Sequence, residues 1–288
     1  MPELPEVEVL RRSLEPHLLG ATVERVEVRS PALREPLDGE GLVRDVEGRR
    51  VAALRRRAKY LLVDLAAPTA GAGPESTAEP TTLVLHLGMS GRITVAPPGE
   101  PVGTDPHEHL VFHLASGPTL RFRDPRRFGR AFSLPTAAVE ADRRFARLGI
   151  EPLGPQLSGD LLRRAARGRR GPVKPFLMDA SVVVGVGNIY ASEALWEAGI
   201  HPTRSVARIA PARWERLAEA VRRVLTRAIA EGGTTLNDFA DGEGRSGYFQ
   251  VSLAVYDREG EPCRRCATPI RRRVQAGRST FYCPGCQT

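Results

Sequence analysis

At 288 residues, with 41% hydrophobic and 26% charged positions, the chain has the make-up of a globular protein that buries one large core or two modest ones. No apolar run approaches the roughly 20 residues that cross a bilayer, and Glu3, Glu6 and Glu8 stand where a secretory signal carries a basic start and an apolar stretch. A cytoplasmic protein with no membrane partner is expected. The formal charge of +8, from 42 Lys+Arg against 34 Asp+Glu, predicts attraction to a polyanion such as nucleic acid, although a GC-rich genome also enriches arginine.

Taken in chain order, residues 5–18 read as a helix. Pro5 suits the first position, Glu6 and Glu8 suit the positive end of the dipole, and Val7, Leu10, Leu14 and Leu18 make one apolar stripe. From 21 to 134 the pattern is mostly strand. Short runs stand at 22–29, 60–65, 83–87, 92–95, 110–114 and 119–123, with Ser116-Gly117-Pro118 as a hairpin turn. So many short strands predict a sandwich or barrel. Residues 66–80 (AAPTAGAGPESTAEP) interrupt them as a Pro- and Gly-rich surface loop.

After about 137 the pattern turns helical. Trp214, Leu217, Val221, Val224, Leu225 and Ile229 mark an amphipathic helix stopped by Gly232-Gly233. A second helix, 188–198, is entered through Val184-Gly185-Val186-Gly187, whose glycines let backbone amides approach a phosphate. Residues 241–248 form a glycine-rich loop, and strand-like VSLAVY (251–256) follows.

All four cysteines lie in the last 26 residues as Cys263-x2-Cys266-x16-Cys283-x2-Cys286. Two such knuckles supply four thiolates for one tetrahedral zinc, with no open position for a substrate. Seven Arg against two Glu concentrate positive charge in residues 258–288. Arg271, Arg272, Arg273 and Arg278 lie between the knuckles, either as phosphate contacts or as a solvated basic hairpin.

The N-terminus carries a second constellation. Methionine before proline is normally removed, which leaves Pro2 with a free secondary amine that titrates near about 8 and is partly neutral and nucleophilic. Its attack on a sugar C1′ gives an iminium, and Glu3 beside it can act as a general acid. The same residues also make a plain helix start. Lys59 follows an arginine run into an apolar strand, as a solvated edge charge, a phosphate contact or an acid/base. Met89 sits in His86–Gly91 (HLGMSG), and Phe128 sits among arginines in Asp124–Gly129 (DPRRFG). Met89 reads as core, and Phe128 as core or as a wedge for a base stack with a cation beside it.

Their order along the chain resembles the formamidopyrimidine-DNA glycosylase family from end to end. The resemblance rests on PELPEVE at 2–8, RAKY at 57–60, HLGMSG, DPRRFG, 174–179, VGVGNIYASE at 184–193, GGTTLNDF at 232–239, GYF at 247–249 and RSTFYC at 278–283. It implies an α+β protein: an N-terminal β-sandwich with an N-terminal helix (1–135), a helix–two-turns–helix DNA-binding domain (136–240), a lesion-capping loop and connector (241–257) and a four-cysteine zinc finger (258–288). Double-stranded DNA would lie in the cleft between the domains.

The activity implied is excision of oxidised purines or formamidopyrimidines, then a nick by β,δ-elimination. Pro2 would be the Schiff-base nucleophile and Glu3 the proton donor. Lys59 and Arg278 would serve β- and δ-elimination. Met89, Arg126 and Phe128 would fill the gap left by the flipped base, while His107, Arg126, Arg169 and Asn188 would contact DNA. The loop near Arg245 would close over the lesion. Arg169 stands where lysine is common, Val9 replaces a common threonine, and the 66–80 insertion is longer than usual.

The resemblance also implies one structural zinc with no redox or nucleotide cofactor, and a monomer acting at a bacterial nucleoid. The related endonuclease VIII type usually begins PEGPE and lacks HLGMSG and DPRRFG together, so Leu4 and those motifs favour the purine enzyme. A catalytically inactive damaged-DNA-binding protein is the rival of another class.

Overall fold

The computed structural model describes residues 2–67, 79–103, 105–234 and 252–288. They divide into two compact units. One holds Pro2, 6–146 and 232–234; the other holds Glu3–Pro5, 147–231 and 252–288.

The first unit is a sandwich of two four-stranded antiparallel sheets. One sheet runs β1 (Val23–Val28), β6 (Glu108–Leu114), β7 (Thr119–Arg123), β5 (Arg92–Ala96), and the other runs β2 (Val51–Arg57), β3 (Tyr60–Leu65), β4 (Thr81–His86), β8 (Arg130–Pro135). Helix α1 (Leu4–Leu18) lays Val7, Leu10, Leu14 and Leu18 into the core that the sheets share, with Leu61, Val63, Leu83, Leu85, Leu110, Phe112 and Phe122. The stripe expected from the sequence is therefore the buried face. Leu114 accepts at its carbonyl from Gly117, and its N–H donates to Pro118, which closes the expected hairpin with Gly117 at φ +105°.

Strands β2 and β8 and one helix of this unit escape the sequence pattern. Helix α2 (Gly39–Val46) is started by Asp38, whose carboxylate accepts from Gly41 N–H at 2.8 Å, and it buries Leu42 and Val46. Strand β2 ends in three arginines. Arg55 is ion-paired with Asp64 on β3, and Arg56 with Glu8. The ends of the long insertion are held by Arg49, which is fully buried and donates to the carbonyls of Ala66 (3.4 Å) and Glu79 (2.8 Å). Residues 68–78 lie outside the described residues.

In the second unit α6 (Pro211–Ala230) is the axis. Pro211 occupies its first turn, and Trp214, Leu217, Val221, Val224 and Leu225 are buried. Beyond its end Gly232 and Gly233 both take positive φ. Against it pack α3 (Gly159–Ala165), capped by Ser158, and α5 (Asn188–Glu197). A short α4 (Val173–Leu177) brings Phe176 edge-on to Trp214, with ring centroids 5.5 Å apart. The finger is a hairpin of β9 (Arg271–Gln275) and β10 (Arg278–Tyr282). Ala276 and Gly277 at φ +46° and +72° form its two-residue turn, which suits the twist of the strands.

The described part of VSLAVY, residues 252–256, is not a strand. Leu253, Ala254 and Val255 are buried, but the N–H groups of Ala254, Val255 and Tyr256 all donate to the carboxylate of Glu193, at 2.8–2.9 Å. A side chain from α5 takes the bonds that a neighbouring strand would have taken.

Candidate active site

The candidate residues divide between the units. In the second, Glu3 is 2% exposed, and its carboxylate caps helix α5. Oε2 accepts from Gly187 N–H at 2.6 Å and Oε1 from Ile189 N–H at 3.1 Å. The anion that meets the Gly187 and Ile189 amides at this helix N-terminus is thus the protein's own carboxylate. The glycines serve packing. A Cβ on Gly187 would lie 2.3 Å from Glu3 Cδ, and one on Gly185 would lie 2.5 Å from Leu4 Cβ. Leu4 N–H also donates to Gly185 O at 3.1 Å.

Asn188, the first residue of α5, is held on both ends of its amide. Oδ1 accepts from Lys174 Nζ at 2.6 Å, and Nδ2 donates to Ser279 O at 2.9 Å and approaches Tyr256 Oη at 3.4 Å. Lys174 is 1% exposed and spends its other protons on Thr280 Oγ1 (2.8 Å) and Ser279 O (3.2 Å). Burial lowers its pKa to about 8, with Glu3 opposing and Arg278 adding to the fall. Lys174, Asn188, Gln275 and Arg278 line a cavity of about 220 Å³, with no carboxylate among its described lining residues. Arg278 is exposed at the start of β10. Arg169 is exposed too, ion-paired with Asp179 at 2.8 Å and 5.5 Å from the Phe176 ring centroid.

In the first unit one buried carboxylate ties two loops together. Asp124 accepts from Ser90 Oγ at 2.6 Å on one oxygen and from Gly129 N–H at 2.7 Å on the other. Its backbone carbonyl accepts from Arg127 N–H and lies 2.8 Å from His109 Nε2. Ser90 Oγ also receives Arg126 N–H at 3.2 Å. Gly88 needs its positive φ and its bare α-carbon, since a Cβ there would sit 2.3 Å from the Phe128 carbonyl carbon. The clamp leaves Met89 40% and Phe128 39% exposed, so neither is core. The Arg126 guanidinium lies 4.9 Å from the Phe128 ring centroid.

Pro2 is buried and Lys59 is half-buried. Lys59 occupies the tight turn between β2 and β3 beside Ala58, whose φ is +55°. His107 is half-buried; its N–H donates to Asp105 and its carbonyl accepts from Asp124. At the end of β4, His86 Nδ1 accepts the Gly88 N–H at 3.0 Å, which pins the turn that carries Met89. Burial first, then the charges of Arg130, Lys59 and Arg34, lower the His86 pKa to about 3. Its imidazole is therefore neutral.

The four cysteines converge. Sγ atoms are 3.3 Å apart for Cys266–Cys286, 3.5 Å for Cys266–Cys283 and 3.9 Å for Cys263–Cys286, and all four lie within 4.8 Å of one another. No disulfide joins them. Zinc–sulfur bonds of about 2.3 Å in a tetrahedron set sulfur separations of about 3.8 Å, so the donor set fits zinc.

Sequence reasoning missed Asp124 as an organiser in the first unit and Lys174, Glu193 and Tyr256 as organisers in the second. Lys174, Asp124 and Glu193 stood in the motifs that carry the resemblance and Tyr256 in VSLAVY, and Lys174 carried one signal, an isolated cation beside Val173 and Pro175-Phe-Leu. The loop near Arg245 lies outside the described residues.

Family models match along the chain: the formamidopyrimidine-DNA glycosylase N-terminal domain at 1–131, its H2TH domain at 148–240, and the zinc finger found in FPG and IleRS at 260–288. A formamidopyrimidine-DNA glycosylase of Alkalilimnicola ehrlichii is 50% identical over 292 residues, covering all of both chains. The crystal structure of the Thermus thermophilus MutM (FPG) protein aligns at TM-score 0.83 and 39% identity, over 99% of this chain and 98% of that one. A Lactococcus lactis FPG mutant bound to Fapy-dG-containing DNA aligns at TM-score 0.87 and 30% identity, over all of both chains. Sandwich, helical domain and finger together define a zinc-containing DNA glycosylase of base excision repair. The chain belongs to the formamidopyrimidine-DNA glycosylase family, in which glycosylase activity is joined to cleavage at abasic sites. The four cysteines are the ligands of its structural zinc. Among the described residues no helix is long and apolar enough to cross a membrane.

Proposed function

We propose that this chain excises 8-oxoguanine and formamidopyrimidines from double-stranded DNA through a Schiff base on Pro2, then nicks the strand by β,δ-elimination. C1′ is out of reach inside a duplex, so the damaged nucleotide is flipped out. Met89, Arg126 and Phe128 enter the gap and offset part of the unstacking free energy. With Met1 removed, the Pro2 lone pair forms a bond to C1′ and the glycosidic electron pair leaves with the base; the proton that the Pro2 nitrogen then gives up balances the one the base takes up. Glu3 gives a proton to the ring oxygen as the sugar opens to an iminium on Pro2. The iminium acidifies C2′. Loss of a C2′ proton expels the 3′ phosphate, and a second elimination expels the 5′ phosphate, with Lys59 and Arg278 supplying protons.

His107, Arg169 and Asn188, with Arg126, contact the DNA, and the zinc holds the finger that carries Arg278. The working division is 1–135, 136–240, 241–257 and 258–288, in a monomer acting on the bacterial chromosome in the cytoplasm. The observation that carries this reading is Glu3: a buried acid, next in the chain to the amine, fixed by two backbone amides at the head of α5.

The test is borohydride trapping on a duplex carrying 8-oxoguanine, followed by mass spectrometry of the joined peptide. A cross-link at residue 2 is expected, with no excision by protein that retains Met1, whose amide nitrogen is not nucleophilic. A cross-link at Lys59, or full activity with Met1 in place, overturns the assignment.

A further inference from the structure

At the far end of α5 from Glu3, the helix and the finger exchange partners. Trp196 is buried, and its indole Nε1 donates to Cys263 Sγ at 3.4 Å. Arg265, two residues beyond that cysteine, lies over the same indole at 3.9 Å from the centroid. It donates to the carbonyls of Trp196 (3.0 Å) and Glu197 (3.3 Å). Trp196 O also accepts from Gly199 N–H at 3.0 Å, and a cation suits that end of the dipole. Trp196, Ala254, Val255, Ile270 and Phe281 share one buried cluster with Cys263 and Cys283.

We propose that the Trp196 indole is an outer-shell donor to the zinc site, and that through it metal occupancy of the finger governs how helix α5 is held. Four thiolates around a divalent ion leave excess negative charge on sulfur. An N–H aimed at one of them spreads that charge and fixes the sulfur's direction. The Arg265 N–H to Cys263 and the Cys286 N–H to Cys283, both 3.4 Å, come from the knuckles themselves. Trp196 differs because it comes from outside the finger, on the ten-residue helix whose first turn holds Asn188 and the Glu3 carboxylate. Eight residues separate it from Asn188, about 12 Å of rigid helix. When zinc leaves, nothing draws the four sulfurs together, the knuckle that carries Arg265 loosens, and the C-terminal half of α5 loses both ties.

The chain has two tryptophans, which makes the idea testable in the full protein. Trp196→Phe keeps the ring and removes the N–H. Trp214→Phe makes the same change in α6, where the ring packs on Phe176. In competition with a zinc chelator, Trp196→Phe is expected to lower zinc affinity at least about tenfold, while Trp214→Phe leaves it unchanged. The second measurement needs no change at residue 196. In the Trp214→Phe protein the only indole is Trp196, so its emission should shift as the chelator strips zinc and return when zinc is restored. Wild-type affinity in Trp196→Phe, equal weakening in both variants, or a Trp196 emission blind to zinc overturns the proposal.

Discussion

Glu3 Oε2 sits 2.6 Å from the amide nitrogen of Gly187, a residue 184 positions away in the chain. The glycine has an ordinary φ of −115°, so its backbone would accept any residue. What it lacks is room, because an added Cβ would lie 2.3 Å from the Glu3 carboxyl carbon.

Gly187→Ala should therefore behave as a Glu3 variant. It displaces the carboxylate while leaving every expected DNA contact in place. Single-turnover excision of 8-oxoguanine should fall about 100-fold or more, the scale set by misplacing a reacting group by an ångström. Duplex affinity measured alongside should change little. Wild-type excision would falsify the role given to this contact.

Asp124 should separate base extrusion from backbone cleavage. Asp124→Ala strands the Ser90 hydroxyl and the Gly129 amide and should cost roughly 2–4 kcal/mol of stability. Phe128→Ala should cost little, because the ring is already 39% exposed. Both should slow removal of a paired 8-oxoguanine more than cleavage at a preformed abasic site, which has no base to extrude. Equal losses on the two substrates would assign Phe128 to general binding.

Lys174 gives a pH signature. Its folded pKa of about 8 lies below the ordinary 10.5, so between those values the unfolded chain binds more protons. Stability then rises with pH across that window, by at most about 1.4 kcal/mol per unit. The penalty for burying the ammonium is present in full below about pH 8. Denaturant melts of wild type and Lys174→Met from pH 7 to 10 should show the difference shifting toward wild type above pH 8. A difference that stays flat or moves the other way contradicts a strained ammonium.

The long insertion should be dispensable only in part. Leu65 and Thr81 are register partners, so a short turn can bridge β3 and β4. Replacing 68–78 with Gly-Ser should leave the melting temperature nearly unchanged, since loop closure depends weakly on length. Arg49→Met should cost roughly 2–4 kcal/mol, because the fully buried Arg49 guanidinium supplies the hydrogen bonds to the carbonyls of Ala66 and Glu79. Thermal melts of the two variants check both halves.

The local pattern was legible wherever one side of an element met the core. The α1 stripe, the 60–65 and 119–123 strands and the α6 face appear as read. The cysteines were legible because knuckle spacing is itself a geometric constraint. Reading failed where the deciding partner is remote. β2 was masked by arginines whose acids, Asp64 and Glu8, lie elsewhere in the sequence. VSLAVY looks like a strand until Glu193 claims its amides. Asp124 was visible as a letter in DPRRFG, but its reach to Ser90 was not.

His86 bears on how the enzyme meets acid. Imidazole is the side chain whose charge most readily flickers near neutrality, and here it braces the turn that presents Met89. Its pKa of about 3, set by burial and by Arg130, Lys59 and Arg34, keeps that brace from switching as a cell acidifies. The Met89 turn is in effect insulated from proton stress. Any loss of activity between pH 5 and 7 must be traced to another group.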